Sequence, residues 1–388
     1  MIRRLTILFC LSAIFAIARA DLPAENLGRT ETIPLPYPAH WIWAQDVAFG
    51  HMMDGKMILL DADADTHATR VKGMFNNAFV GAFTAAATRP EVYVAETFYE
   101  RINRGKRTDV VTIYDKSTLA PKGEIVLPGE KRAGMLPGKY ALRLLDNEKF
   151  LLVYGFTPAT SVIVIDIVAR KVVGEIPLPS CALIYPTGTR GFSSLCSDAS
   201  MLTVQLDERG GVASRSRIDP FFDIQKDALF EKPVLVNGIG YFPTFLGNMQ
   251  EIDLSGDKAV LGDRWSLLDG TDQAENWRPG GVQFTAADAH GNIYIIMHKG
   301  GHEGTHKDGG QEVWVFDSKQ HRRLRRIVLD KWGISVEVTR DDTPLLVVVN
   351  AEMNLDVYDA ASGKHLRTLA DFGQETPLVV HAVQLERK

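Results

Sequence analysis

The chain has 388 residues, a formal net charge of −5 and a hydrophobic share of 45%. That balance excludes the basic footprint of a nucleic-acid-binding protein and the weakly hydrophobic composition of a disordered chain. The length exceeds what one ordinary core encloses, but repeated units can share the burial, so one domain is expected.

Residues 1–20 read as a cleaved export signal. Arg3 and Arg4 precede the apolar run Leu5 to Ile17, and Ala18-Arg19-Ala20 supplies small residues for cleavage. The run is short for a membrane span of about 20 residues, and no other stretch approaches one, so a periplasmic chain without a membrane anchor is expected. Residues 21–40 carry prolines and polar residues without periodicity and read as a leader draped over the following domain, residues 41–388.

Glu91 to Pro128 reads as one complete repeat: a strand at Val92 to Phe98, a polar connection, a strand at Asp109 to Tyr114 closed by Asp115, a turn, and a strand at Gly123 to Leu127. The β-branched and aromatic residues alternate as a pleated surface requires. The strand with its terminal aspartate recurs at Asp61, Asp115, Asp166, Asp207, Asp253, Asp317 and Asp359, in steps of 41 to 64 residues. That period predicts an all-β protein, a seven-bladed β-propeller with four-stranded antiparallel blades. A last strand, Thr376 to Leu385, is left to return to the first blade and close the ring.

Outside the signal the cysteines are Cys181 and Cys196. An even pair in an oxidising compartment points to a disulfide, contributing about 3 kcal/mol for a loop of that size; two buried thiols are the alternative. Asp61, Asp63 and Asp65 alternate like a calcium loop but lack its glycine and closing glutamate, so a strand-end turn is expected. His298, His302 and His306 have helical spacing for zinc, yet the glycines between them oppose a helix, and a loop without metal is expected. The basic runs Arg101 to Arg107 and His321 to Arg326 read as a solvated loop and a charged outer strand.

ETFYERINRGKRTDVVTIYD, TPATSVIVIDI, the span Cys181 to Cys196, WSLLDGTDQAENWRPGG and HEGTHK occur in this order along the chain. Together they resemble the heavy subunit of the quinoprotein amine dehydrogenases, closest to the aromatic amine dehydrogenase and next to the methylamine one. The resemblance implies a periplasmic assembly of two heavy and two light subunits. The cofactor, tryptophan tryptophylquinone, and the catalytic groups lie on the light subunit. Primary amines, with aromatic ones favoured, are oxidised to aldehyde and ammonia, and electrons pass to an azurin- or amicyanin-like blue copper protein. On this reading the chain holds no catalytic residue, metal or cofactor, and Trp41, Trp43, Trp265, Trp277, Trp314 and Trp332 are packing residues. The resemblance also implies one substrate-channel residue, Phe79 in NNAFVGAF, with Phe75 and Phe83 as near alternatives and a core phenylalanine as the plain reading. Other readings from outside this assembly are a stand-alone binding or scaffold propeller, and an autonomous propeller enzyme such as a lactonase. The latter would need carboxylates and histidines projecting into the central channel.

Overall fold

The computed structural model describes residues 31–131, 138–373 and 375–383. The expected signal, residues 21–30 of the leader and the last two residues of the expected closing strand lie outside them. The described chain is dominated by antiparallel β-structure, with four short helical turns at Phe49–Asp54, His67–Arg70, Gly270–Ala274 and Thr305–Lys307.

The alternation that marks each strand feeds two different interfaces. In Trp41–Asp46 the side chains of Ile42 and Ala44 pack with Val347, Val349 and Val357, whereas Trp41 and Trp43 pack with Phe83, Val92 and Val94. One strand thus joins the sheets on either side of it, because successive side chains leave opposite faces. Each fully buried aliphatic side chain contributes about 1.5–3 kcal/mol, so neighbouring sheets are held chiefly by these shared layers.

The sheets correct the expected count. Among the described residues five four-stranded blades are present, not seven. The first consists of Pro377–Ala382, Trp41–Asp46, Lys56–Asp61 and Val71–Asn76; the second of Ala82–Ala85, Glu91–Arg101, Arg104–Asp115 and Pro121–Val126. Three more follow, at Leu142–Leu145 through Lys171–Pro177, Cys181–Thr187 through Val212–Ile218, and Val234–Val236 through Val260–Ser266. The strands from Arg278–Pro279 to His365–Leu369, which include two of the aspartate-ended strands, form one eight-stranded sheet. The cause is Arg322–Val338, a single strand of 17 residues that pairs with Gly310–Asp317 on one side and with Leu345–Asn350 on the other. Its sequence has no proline or turn pair to break it. At Gly333, where the register shifts, an added Cβ would stand 2.7 Å from Val348 and 2.8 Å from Leu329, so glycine lets the strand bend and continue.

The last described strand, Pro377–Ala382, pairs antiparallel with Trp41–Asp46. The two ends of the array therefore share one sheet, which removes an exposed edge. Residues 33–40 lie across the first two blades: the Ile33 N–H donates to Ser117 O at 2.7 Å, the Tyr37 hydroxyl donates to Lys116 O at 2.5 Å, and the Tyr37 ring stacks on Trp41.

All seven marker aspartates accept a backbone N–H two or three residues ahead, from Asp63, Ser117, Ala169, Arg209, Ser255, Lys319 and Ser362 respectively. The aspartate is a turn-former, and the Asp61-Asp63-Asp65 run is the first of these turns. Cys181 and Cys196 stand directly opposite each other on adjacent strands and are disulfide-bonded, with Cα atoms 3.9 Å apart.

Candidate functional site

The connection from the first blade to the second differs from the aspartate turns. Val71–Asn76 ends, and the chain reverses through Asn77, Ala78, Phe79 and Val80 before Ala82–Ala85 begins. Phe79 and Val80 both have positive φ, 55° and 59°. Two successive non-glycine residues in the left-handed region, one of them β-branched, are strained and need contacts that over-determine them. Three backbone donors supply those contacts: Asn77 N–H to Gly55 O at 2.8 Å, Ala78 N–H to Glu96 Oε1 at 3.0 Å, and Phe79 N–H to Met52 O at 2.7 Å. The fit is close, since a Cβ on Gly55 would lie 2.4 Å from Asn77 O, and one on Gly81 would lie 2.8 Å from Ala95 O. Gln45 Nε2 donates to Gly81 O and to Asn77 Oδ1, while Asn77 Nδ2 is buried with no described partner.

This turn leaves Phe79 half-buried, its ring edge-on to Tyr99 at 5.2 Å. The alternatives are core residues. Phe75 is buried against Tyr114 at 4.3 Å, and Phe83 is buried against Trp43 and His381. Tyr99 lies on a ribbon that outruns its blade. Ala82–Ala85 pairs only as far as Ala95 and Pro121–Val126 only as far as Val110, so beyond them Thr97 to Arg101 and Arg104 to Asp109 pair with each other. The expected solvated loop over Arg101 to Arg107 is therefore this ribbon, with a two-residue turn at Ile102 and Asn103 and Ile102 71% exposed at its tip. Its base is tied by Thr97 Oγ1 donating to Asp109 at 2.5 Å and by Arg107 pairing with Asp109 at 2.9 Å.

Glu96 was missed by sequence reasoning, though a signal was present. Val92, Val94 and Glu96 share one strand face, and the first two are fully buried, so a carboxyl at the third position breaks the apolar alternation. It is 2% exposed, and burial pushes its pKa up to about 7 against the lowering effect of its hydrogen bonds.

The inner strands carry a different set of groups. His381, edge-on to Phe83, is driven well below its usual pKa by burial and by Lys139, Arg143 and Arg340. Glu337 pairs with Lys139 at 2.5 Å and with Arg340 at 3.5 Å. Beyond the opposite end of Ala82–Ala85, a cavity of about 530 Å³ is lined by Thr88, Arg143, Glu148 and Asn237 among others.

The three spaced histidines lie near one another, His302 and His306 adding to burial in lowering the His298 pKa, but among the described residues they do not form a group with ligand atoms within 4.8 Å. His298 ends a strand and bonds Thr305 Oγ1 at 2.8 Å, His302 bonds Gly300 O, and His306 sits beside the rings of Phe230 and Phe245. Among the described residues the group that brings potential ligand atoms within 4.8 Å of one another is Glu251, Asp263 and His321. There His321 stacks on Trp265 at 4.9 Å and pairs with Glu251 at 2.7 Å, and the Trp265 indole also donates to Glu251. The nearest tryptophan pair, Trp277 and Trp314 at 5.1 Å, is buried beneath Arg323 and Arg326, with both indole N–H groups donating to glutamates. Its faces are covered and its polar atoms engaged, as in a packing pair.

The fold is that of a β-propeller subunit, with Phe79 half-buried on a left-handed turn between its first two blades. The family model for the methylamine dehydrogenase heavy chain matches residues 40–383, and the chain belongs to that family; it is the heavy subunit of an amine dehydrogenase, an oxidoreductase. It is 29% identical to the methylamine dehydrogenase heavy chain of Paracoccus versutus over 81% of this chain and 74% of that one. It is 27% identical to that of Methylophilus methylotrophus, over 81% and 78%. These relatives favour the methylamine alternative over the aromatic one. A solved structure of a putative 6-phosphogluconolactonase from Bacteroides fragilis superposes with a TM-score of 0.57 at 10% identity, covering 88% of this chain and 97% of that one; at that identity the likeness is one of fold.

Proposed function

We propose that this subunit assembles, as two copies with two light subunits, into a periplasmic dehydrogenase that oxidises small primary amines to aldehyde and ammonia. The observation that carries this reading is the family match from residue 40 to residue 383. Tryptophan tryptophylquinone on the light subunit would accept the substrate's electrons and pass them to a blue copper protein of the azurin or amicyanin kind. The heavy chain's part is to bound the path by which the amine arrives. Phe79, half-buried on a fixed turn, offers an aromatic wall against which the ammonium group must shed water, and its ring limits the side chains that pass. Export is supported by the pattern of residues 1–20 and by the Cys181–Cys196 disulfide. No helix among the described residues is long and apolar enough to cross a membrane.

The test is purification of the native complex with its visible spectrum. A quinone absorbance that bleaches on adding methylamine, in a complex containing a small light chain, is the expected result. Bleaching by aromatic amines with methylamine inert would reverse the substrate assignment, and a colourless single-chain protein would overturn the reading as a whole.

A further inference from the structure

We propose that Glu96 is the positioning residue that holds the Phe79 turn and so sets the shape of the channel mouth without touching substrate; the link to the channel rests on the function proposed above. The backbone of the turn is strained at two successive residues, and such positions persist only where neighbours hold them. The hooks from Gly55 and Met52 are main-chain carbonyls of the first blade. The hook on Ala78, next to Phe79, is a side chain of the second blade, Glu96 Oε1 at 3.0 Å. The other Glu96 oxygen accepts from the Tyr114 hydroxyl at 3.1 Å, and Tyr114 stacks on Phe75, the penultimate residue of the strand that enters the turn.

The strand that carries Glu96 also carries Tyr99, whose ring meets Phe79 edge-on. The amide before Phe79 and the ring of Phe79 are therefore both referred to Glu91–Arg101, and the wall cannot move without breaking contact with that strand. A purely structural need at this face is met by valine at positions 92 and 94. A buried carboxyl is costlier than an apolar side chain unless its acceptor oxygens are needed, and here both are used by neutral donors.

The test compares variants in the assembled amine dehydrogenase by two readouts: hydrogen exchange of the Ala78 and Phe79 amides, and the ratio of kcat/KM between methylamine and benzylamine. Glu96→Met keeps the volume and removes the acceptor; Glu96→Gln keeps an acceptor oxygen. The Met variant should speed exchange at the turn by about 10-fold or more. It should also shift the kcat/KM ratio by about 10-fold in the direction that Phe79→Ala shifts it. The Gln variant should keep both near wild type. Unchanged exchange in Glu96→Met overturns the proposal, as does faster exchange with an unchanged ratio while Phe79→Ala does shift it. If Phe79→Ala leaves the ratio alone, the channel reading fails, and exchange still decides whether Glu96 holds the turn. Should Glu96→Met not assemble, Glu96→Ser, too short to reach Ala78, is read in the same way.

Discussion

Two kinds of turn divide this molecule. At the seven aspartate-ended strands the reversal is local: a carboxylate accepts an N–H two or three residues ahead, and against desolvation the carboxyls of Asp115 and Asp359 are held below their usual pKa by the Ser117 and Ser362 hydroxyls and then by backbone N–H groups, that of Asp207 by backbone N–H groups. At Asn77–Val80 the hydrogen bonds come from farther away. The turn depends on Gly55 and Met52 behind it, Gln45 beside it and Glu96 from the next blade. Turns of the first kind form wherever the sequence allows. The second kind is held by contacts that only the packed strands supply.

The largest effect that separates the two kinds concerns pH. The Glu96 carboxyl, at about 7 in the folded state against 4.5 ordinarily, binds more protons folded than unfolded between those values. Its contribution to stability therefore falls as pH rises through that window and stays low above it. By linkage the loss is on the order of 3 kcal/mol. Glu96→Gln should remove this slope, seen as a smaller difference than wild type between denaturant midpoints at pH 5 and pH 8.5. Asp115, Asp207 and Asp359 should not behave so, since their lowered carboxyls lose their stabilisation in acid instead.

Next in size is Gly55→Ala. Its Cβ would press on Asn77 O at 2.4 Å, and the expected loss is about 2–3 kcal/mol, read by denaturant unfolding. A variant as stable as wild type would show that the turn can shift. Phe79→Ala should change the kcat/KM ratio between a bulky aromatic and a small aliphatic amine by about 10-fold, with the visible spectrum unchanged. Equal selectivity would return Phe79 to a packing role. The smallest effect is expected from Asp253→Ala, which removes a local turn bond to Ser255 and should cost about 1 kcal/mol without altering selectivity.

Much of the fold was legible because its signals are local. Period-2 alternation placed most strands, the aspartates marked turns but overcounted the blades, and the final strand was expected to return to the first blade, where Pro377–Ala382 now pairs with Trp41–Asp46. The ribbon was misjudged because charged residues such as Arg101 and Arg107 can line a two-stranded extension as readily as a loop. Of the candidate site, Phe79 was named through resemblance, and its neighbours were not. Tyr99 and Gln45 are ordinary strand residues in sequence, and only the carboxyl at position 96, out of step with Val92 and Val94, departs from pattern.

The sequence by itself determined what depends on near neighbours: the alternation that makes most strands and the aspartate turns that end seven of them. Which strands share a sheet was decided by tertiary structure. Arg322–Val338 carries no breaker, so whether it ends one sheet or continues into another depends on the partners offered on its two sides, and it took both. The left-handed turn at Phe79 was decided in the same way, because its cost is met by acceptors at residues 52, 55 and 96, which only the packed blades bring together.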